Sequence, residues 1–192
     1  HQDLLVARRI FEAEPRRHLD VGSRVDGFVA HVASFRRIEI VDIRPLRSTV
    51  PEISFLRADV MKPDSAGEAI CDSLSCLHVL EHFGLGCYGD PIDVTGYEKG
   101  FATLDRMLAP GGTLYLSVPI GRQAVLFNAH RRFHTTTILE MAEGSLDLRR
   151  FDFVDDAGDL HRDVDLDRPR RDPTLGCRRE GCGIFEFRKR SQ

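Results

Sequence analysis

His18-Leu19-Asp20-Val21-Gly22-Ser23-Arg24-Val25-Asp26-Gly27, followed at the end of a second apolar run by Asp42, is the stretch that decides the fold. An acid closing a short apolar run, a glycine-bearing turn and a second acid about twenty positions on form the pattern of a nucleoside-binding α/β domain. Glycine lets backbone N–H groups approach a ligand closely where a helix begins. A carboxylate ending the next strand can accept both ribose hydroxyl protons.

Working outward, the apolar periodicity alternates between strands and helices. Residues 4–14 place Leu4, Leu5, Ile10 and Phe11 at helical spacing. His18–Val21 reads as a strand, residues 28–34 as a helix after the Gly27 turn, and residues 38–43 as a β-branched strand. Residues 53–60, ending near Asp59, and residues 73–79 give two more strands. Residues 83–96 hold four glycines and a proline, a loop long enough to suggest function. Residues 97–108 read as a helix stopped by Ala109-Pro110-Gly111-Gly112, and residues 113–118 as a fifth strand. A helix over 135–143 and strands over 146–154 and 184–188 complete the pass, with a polar stretch between the last two strands. Strands alternating with helices imply a mostly parallel sheet with right-handed crossovers. The final two strands lack a helix between them and suit an antiparallel hairpin.

Composition narrows the function classes. The 192 residues suit one domain with a sizeable core, and 42% hydrophobic with 30% charged content is ordinary for a globular protein. A net charge of −3 argues against a nucleic-acid surface, and no apolar run approaches the roughly 18 residues that span a bilayer. Of the 27 basic residues 24 are arginine, a bias that reads as genome composition; the Arg-rich tail is interleaved with acids and reads as a solvated face. Five cysteines without paired metal spacing suit free thiols in a reducing cytoplasm. The chain opens on His1 without a signal-peptide pattern, which suggests that residues precede it.

The strand ends carry Asp20, Asp42, Asp59 and the His78–His82 segment, where open α/β sheets bind their ligands. Singly, such acids are more often turn or helix caps. His78-x-x-Glu81-His82 also matches an inverted zinc-protease pattern. That chemistry needs both histidines on one helix face, whereas the flanking residues read as a strand and a glycine turn. A nicotinamide enzyme would need Gly-x-Gly-x-x-Gly spacing, which Gly22 and Gly27 do not make.

As a series, Leu19–Ser23, Val41-Asp42, Arg57-Ala58-Asp59-Val60, Leu77-His78-Val79-Leu80-Glu81-His82 and Arg106-Met107-Leu108-Ala109-Pro110-Gly111-Gly112-Thr113-Leu114 resemble class I S-adenosylmethionine-dependent methyltransferases. The loop with Tyr88-Gly89-Asp90-Pro91-Ile92-Asp93 resembles a domain-of-unknown-function branch of that superfamily (DUF268-like). The resemblance implies an α/β, doubly wound, Rossmann-like and mostly parallel seven-stranded sheet with a C-terminal antiparallel hairpin. It implies one domain over 1–192, with an N-terminal helix (1–15), a core (16–155), an extended loop (156–183) and a last strand (184–189).

S-adenosylmethionine is the implied cofactor. Asp20, Gly22, Ser23 and Gly27 would hold its methionine portion, and Asp42 with Ile43 its ribose. Asp59 and Val60 would meet the adenine, with His78 and Val79 facing the cofactor. Where the family carries further glycines after Gly22, this chain has Arg24 and Asp26, which narrow the room. Methyl transfer to a hydroxyl benefits from a general base, for which His82, then His130 and His134, are the candidates. Tyr88, Asp90 and Asp93 are candidates for contacting a small polar acceptor such as a sugar or glycan precursor, although Asp-Pro is also a common turn dipeptide. The reaction expected is methylation of an oxygen, less readily a nitrogen, in a cytoplasmic protein. A fold that binds a ligand or partner without catalysis is the alternative that Arg24 and Asp26 favour.

Overall fold

A computed structural model describes residues 1–45, 47–86, 91–126 and 129–191. Its elements follow in the order α1 (Gln2–Ala13), β1 (His18–Val21), α2 (Phe28–Ala33), β2 (Ile38–Asp42), β3 (Ile53–Arg57), β4 (Cys71–Leu77), α3 (Gly96–Met107) and β5 (Leu108–Ile120). The chain continues with β6 (Ala124–Val125), β7 (Arg131–Arg132), α4 (Thr135–Ala142), β8 (Leu146–Val154), β9 (Leu160–His161), α5 (Arg168–Arg171) and β10 (Gly181–Lys189).

The main sheet runs β3-β2-β1-β4-β5-β10-β8-β9, and β6 with β7 makes a separate two-stranded ribbon. The five strands from β3 to β5 are mutually parallel. β10 enters between β5 and β8 and pairs with both in the antiparallel sense. The expected sheet had seven strands; the structure adds an eighth, the two-residue β9, which folds back on the end of β8. The last two long strands do pair, but the polar stretch between them is not wholly irregular: it holds β9 and the single turn α5. The tight hairpin in this region is therefore β8–β9.

Alternation along the strands buries both faces. In β2, Ile38 and Ile40 join one core with Val6, Ile10, Val29 and Val32 of α1 and α2, while Val41 joins the other. That second core gathers Phe101 and Leu104 of α3, Ile138 and Leu139 of α4, and the aromatic run Phe151, Phe153, Phe185 and Phe187. The Phe151 and Phe185 rings lie 4.8 Å apart and tilted, a favourable aromatic geometry. Helices thus cover both faces, as a parallel sheet requires.

Two local features serve the site. α3 passes directly into β5, and the Ala109–Gly112 segment is absorbed as a bulge between the pairs Cys71–Leu108 and Ser73–Thr113. At the other side, Arg9 of α1 is buried against the sheet, its Nη2 2.8 Å from the fully buried Asp152 and its Nε 3.6 Å from Glu186. This ion cluster fixes α1 across β8 and β10, so that the helix N-terminus reaches the carboxyl ends of the central strands.

Candidate functional site

A cleft of about 550 Å³ opens where β1, β2 and β4 end. Its wall contains Gly22, Ser23 and Gly27 from the first turn, Asp42 and Ile43 from the second strand end, and Asp59 and Val60 after β3. His78, Val79 and His82 close the side nearest β4, and Gln2 and Asp3 of α1 complete the rim. Of the residues expected around a cofactor, Asp20 alone does not line the cleft; it sits beneath it, fully buried.

The turn after β1 is tight for a physical reason. Gly22 has φ of 76° and its N–H donates to the Val41 carbonyl at 2.9 Å. A Cβ there would stand 2.6 Å from Val79 Cγ1, so a side chain would push the turn off β4. Arg24 and Asp26 reach the rim, 82% and 66% exposed, with their charged groups 3.3 Å apart. They pair with each other at the solvent edge of the turn.

Asp20 anchors this turn from below. Ser75 Oγ donates to its Oδ1 at 2.5 Å, and the Ser23 N–H donates to Oδ2 at 3.3 Å. His18 continues the chain, with Nε2 3.2 Å from Ser75 Oγ and Nδ1 2.8 Å from Ser73 Oγ. Burial, reinforced by the charge of Arg36, lowers the His18 pKa to about 3, so the ring is neutral. Because Ser75 gives its proton to Asp20, it accepts from His18 Nε2–H, and Nδ1 accepts from Ser73. Burial raises the Asp20 carboxyl to about 6 against the opposing hydrogen bonds of Ser75 and Ser23.

The next two acids sit higher and keep charged partners. Asp42 takes the Arg44 N–H at 2.8 Å and a two-pronged guanidinium contact, Nε at 3.0 Å and Nη2 at 2.6 Å. Asp59 caps its own turn by accepting from the Met61 N–H at 3.1 Å, and Lys62 Nζ lies 3.4 Å from it. Both carboxylates face the one cleft.

At the β4 end, His78 adopts φ of 54°, an uncommon conformation that turns its ring across the sheet edge. Its Nδ1 is 3.0 Å from Oε1 of the buried Glu81, and its Nε2 is 3.2 Å from Cys182 Sγ on β10. Burial opposes a charge on this ring, but the Cys182 sulfur and the Glu81 carboxylate outweigh it and raise its pKa to about 10. Gln2 bridges the same corner: Ser117 Oγ donates to its Oε1 at 2.5 Å, and Cys182 Sγ lies 3.4 Å from that oxygen.

The three histidines considered as bases part company. His82 lines the cleft, and its Nδ1 donates to the Ala129 carbonyl at 3.1 Å, which makes Nε2 the basic nitrogen. The His130 ring stands 6.1 Å from it and is held by Glu180 at 2.7 Å. His134 is the residue before α4, outside the cleft wall. His78 and His82, the pair of the zinc-like pattern, engage different partners.

Of the acceptor-loop residues, Tyr88 and Asp90 lie outside the described residues. Asp93 accepts from the Thr95 N–H and hydroxyl and from Lys99 Nζ at 2.5 Å. The Lys99 and Thr95 contacts lower its pKa to about 2. It organises the entry to α3. Gly84 of the loop and Gly100 of α3 serve packing here: a Cβ on Gly100 would meet the Phe83 ring at 2.3 Å, and one on Gly84 would overlap the Asp93 carbonyl.

Several residues at the site carry no signal in the sequence. Gln2, Arg44, Ser75 and Cys182 come from four separate segments that only the fold assembles. The alternation of Ser73 and Ser75 on an otherwise apolar strand was the one visible hint.

The fold is that of methyltransferases. The [4+2]-cyclase SpnF superposes with a TM-score of 0.68 at 15% identity, over 99% of this chain and 81% of the other. The N-methyltransferase NodS from Bradyrhizobium japonicum WM9, in complex with S-adenosyl-L-homocysteine, gives 0.60 at 15% identity over 96% and 84%. The 1,6-didemethyltoxoflavin-N1-methyltransferase of Burkholderia thailandensis, with bound 1,6-didemethyltoxoflavin and S-adenosylhomocysteine, gives 0.59 at 17% over 98% and 79%. No curated protein matches the sequence significantly. A family model does, over residues 32–168, and the chain belongs to that family, described as Caenorhabditis protein of unknown function, DUF268.

Proposed function

We propose that this protein binds S-adenosylmethionine and transfers its methyl group to a small polar acceptor. The observation that carries the reading is the convergence of Asp42 and Asp59, from successive strand ends, on one cleft together with the Gly22 turn. A cleft of about 550 Å³ lies within the roughly 300–1,000 Å³ range of small-molecule sites. Its donor set also suits the cofactor: carboxylates for ribose hydroxyls and an adenine amino group, apolar Val60 and Ile43 for the ring, and backbone N–H groups at the turn. No group here cradles a pyrophosphate, and the buried Asp20 would repel one. That separates the site from a dinucleotide site.

When bound, the cofactor supplies a sulfonium methyl, a carbon already activated for displacement. The chain's contribution is binding and alignment, which provide much of the rate in such a transfer. Asp42 would take the ribose hydroxyls in place of part of its contact with Arg44. Asp20 would hold the turn through the Ser23 N–H, at one remove from the ligand. His82 Nε2 would take the proton of a hydroxyl acceptor. His130 would support that ring from the side, and His134 would act only through the entry to α4. Oxygen is the preferred acceptor atom for this reason, because an unprotonated amine needs no base. A sugar or glycan precursor is the acceptor class suggested by the family likeness, and Tyr88, Asp90 and Asp93 are the candidates for contacting it.

Calorimetric titration with S-adenosylmethionine and S-adenosylhomocysteine tests the reading. Micromolar binding is expected, and Asp42→Ala should weaken it by about 100-fold or more, because two hydrogen bonds to a charged group are lost. The fold should survive, since a strand-end carboxylate is not a packing residue. No heat at millimolar nucleoside would overturn the proposal. It would favour the second reading, a ligand-binding domain without methyl transfer, for which the occupied Asp42–Arg44 pair and the likeness to a cyclase speak.

A further inference from the structure

Cys182, His78 and Glu81 meet at the corner where β10 starts, β4 ends and α1 begins. The order of contacts is sulfur to Nε2 at 3.2 Å and Nδ1 to carboxylate at 3.0 Å. This is the arrangement of a nucleophile, a base and a group that orients the base. Glu81 is 2% exposed, and its second oxygen is buried without a hydrogen-bond partner among the described residues. A buried carboxylate in that state favours a positive charge on the one ring it touches. His78 is held in the left-handed region, a conformation kept only where surrounding structure enforces it. Cys182 is a partly exposed residue, unlike the buried Cys71, Cys76 and Cys177.

We infer that Cys182 is a nucleophilic thiol, activated by His78 and Glu81, that forms a covalent bond with a soft electrophilic carbon presented at this corner, behind the cleft wall that Gln2 and His78 form. The thiol proton passes to His78 Nε2, and Glu81 stabilises the imidazolium through Nδ1–H. The sulfur electron pair then forms the S–C bond while the leaving group departs with the bonding pair, so the proton stays on His78. The groups around the sulfur act on this state in both directions. Its strand partners, Pro119 of β5 and Val154 of β8, carry no charge. α1 contributes Gln2, whose Oε1 accepts from the Cys182 thiol at 3.4 Å and so competes with His78 for its proton, and Asp3, whose carboxylate accepts from Gln2 Nε2 at 3.1 Å. The imidazole backed by Glu81 is the stronger base of the two acceptors. β4 contributes His78 and its turn Glu81.

Iodoacetamide, with peptide mass mapping of the native chain, tests the inference between pH 6 and pH 8.5. Cys182 should label first among the described cysteines, at a rate nearly flat across that range. An ordinary thiol, with a pKa near 8.5, reacts more than about tenfold more slowly at pH 6 than at pH 8.5. His78→Asn, a residue that tolerates positive φ, should lower the pH 6 rate at least about tenfold and leave the pH 8.5 rate within a few fold. Glu81→Gln should fall between. A wild-type profile that climbs with pH as an ordinary thiol does would overturn the inference, as would an unchanged profile in His78→Asn. Labelling of the buried Cys76 marks a variant that has unfolded; the wild-type profile then decides alone. The measurement uses no nucleoside, so its failure leaves the cofactor proposal standing, and the reverse also holds.

Discussion

The rim of the cleft and the layer beneath it handle charge in opposite ways. At the rim, Asp42 and Asp59 are largely covered, but each pairs with a cation whose own side chain stands in solvent, Arg44 and Lys62. Beneath, Asp20 and Glu81 are buried and bonded to a hydroxyl, a backbone N–H and an imidazole. A solvent-exposed cation is screened and exchanges partners readily, so the first two carboxylates can be handed to a ligand at small cost. A carboxylate bonded only to buried groups lacks that freedom. Its environment decides where each proton resides, and it acts through what it positions.

Asp20→Asn is the change that strains this contrast most. The folded-state pKa of Asp20, about 6, lies above the ordinary 3.8, so the native state carries a penalty for the charge at neutral pH that is absent near pH 4. The amide should therefore raise stability by up to about 3 kcal/mol at pH 7.5, a gain that fades as pH falls from 6 to 4. Urea denaturation at pH 4 and pH 7.5 measures it; equal differences at both values would mean that Asp20 is not burdened by burial.

Arg44→Ala probes the rim. Freed from its guanidinium, Asp42 should bind S-adenosylhomocysteine up to about tenfold more tightly, with the effect shrinking in high salt. Weaker binding would show instead that Arg44 stays in the site and contacts the nucleoside. Arg24→Gly is expected to matter least, changing affinity less than about threefold, because the Arg24–Asp26 pair sits at the exposed edge. A larger gain would restore weight to the idea that these two side chains crowd the cofactor.

Much of the sheet was legible because β-branched runs such as Ile38–Asp42 alternate clearly and end in acids. The strand-end acids were legible for the same reason, each closing an apolar run. What escaped the sequence were contacts across great chain separation. Gln2 meets Ser117 and Cys182, and Arg9 meets Asp152, only because α1 crosses the far half of the sheet. Nothing local marks a glutamine or an arginine in a helix for such partners. Glycine is ambiguous in the opposite direction: Gly84 of the loop and Gly100 of α3 lack a side chain where Asp93 and Phe83 pack closely, a need that only the fold reveals. Strand count went astray at β9, whose two residues lie below any periodicity that could announce them.

The insertion of β10 between β5 and β8 sets an order of events. Until residues 181–189 arrive, β5 and β8 each have an unpaired edge, and the corner that joins Cys182 to His78 does not exist. The nucleoside end, built by residues 2–3, 18–61 and 75–83, needs no such wait. Until β10 inserts, β5 and β8 offer two open strand edges to any neighbouring β-strand. β10 acts as the keystone of the sheet, and its insertion is the moment at which the reactive corner comes into being.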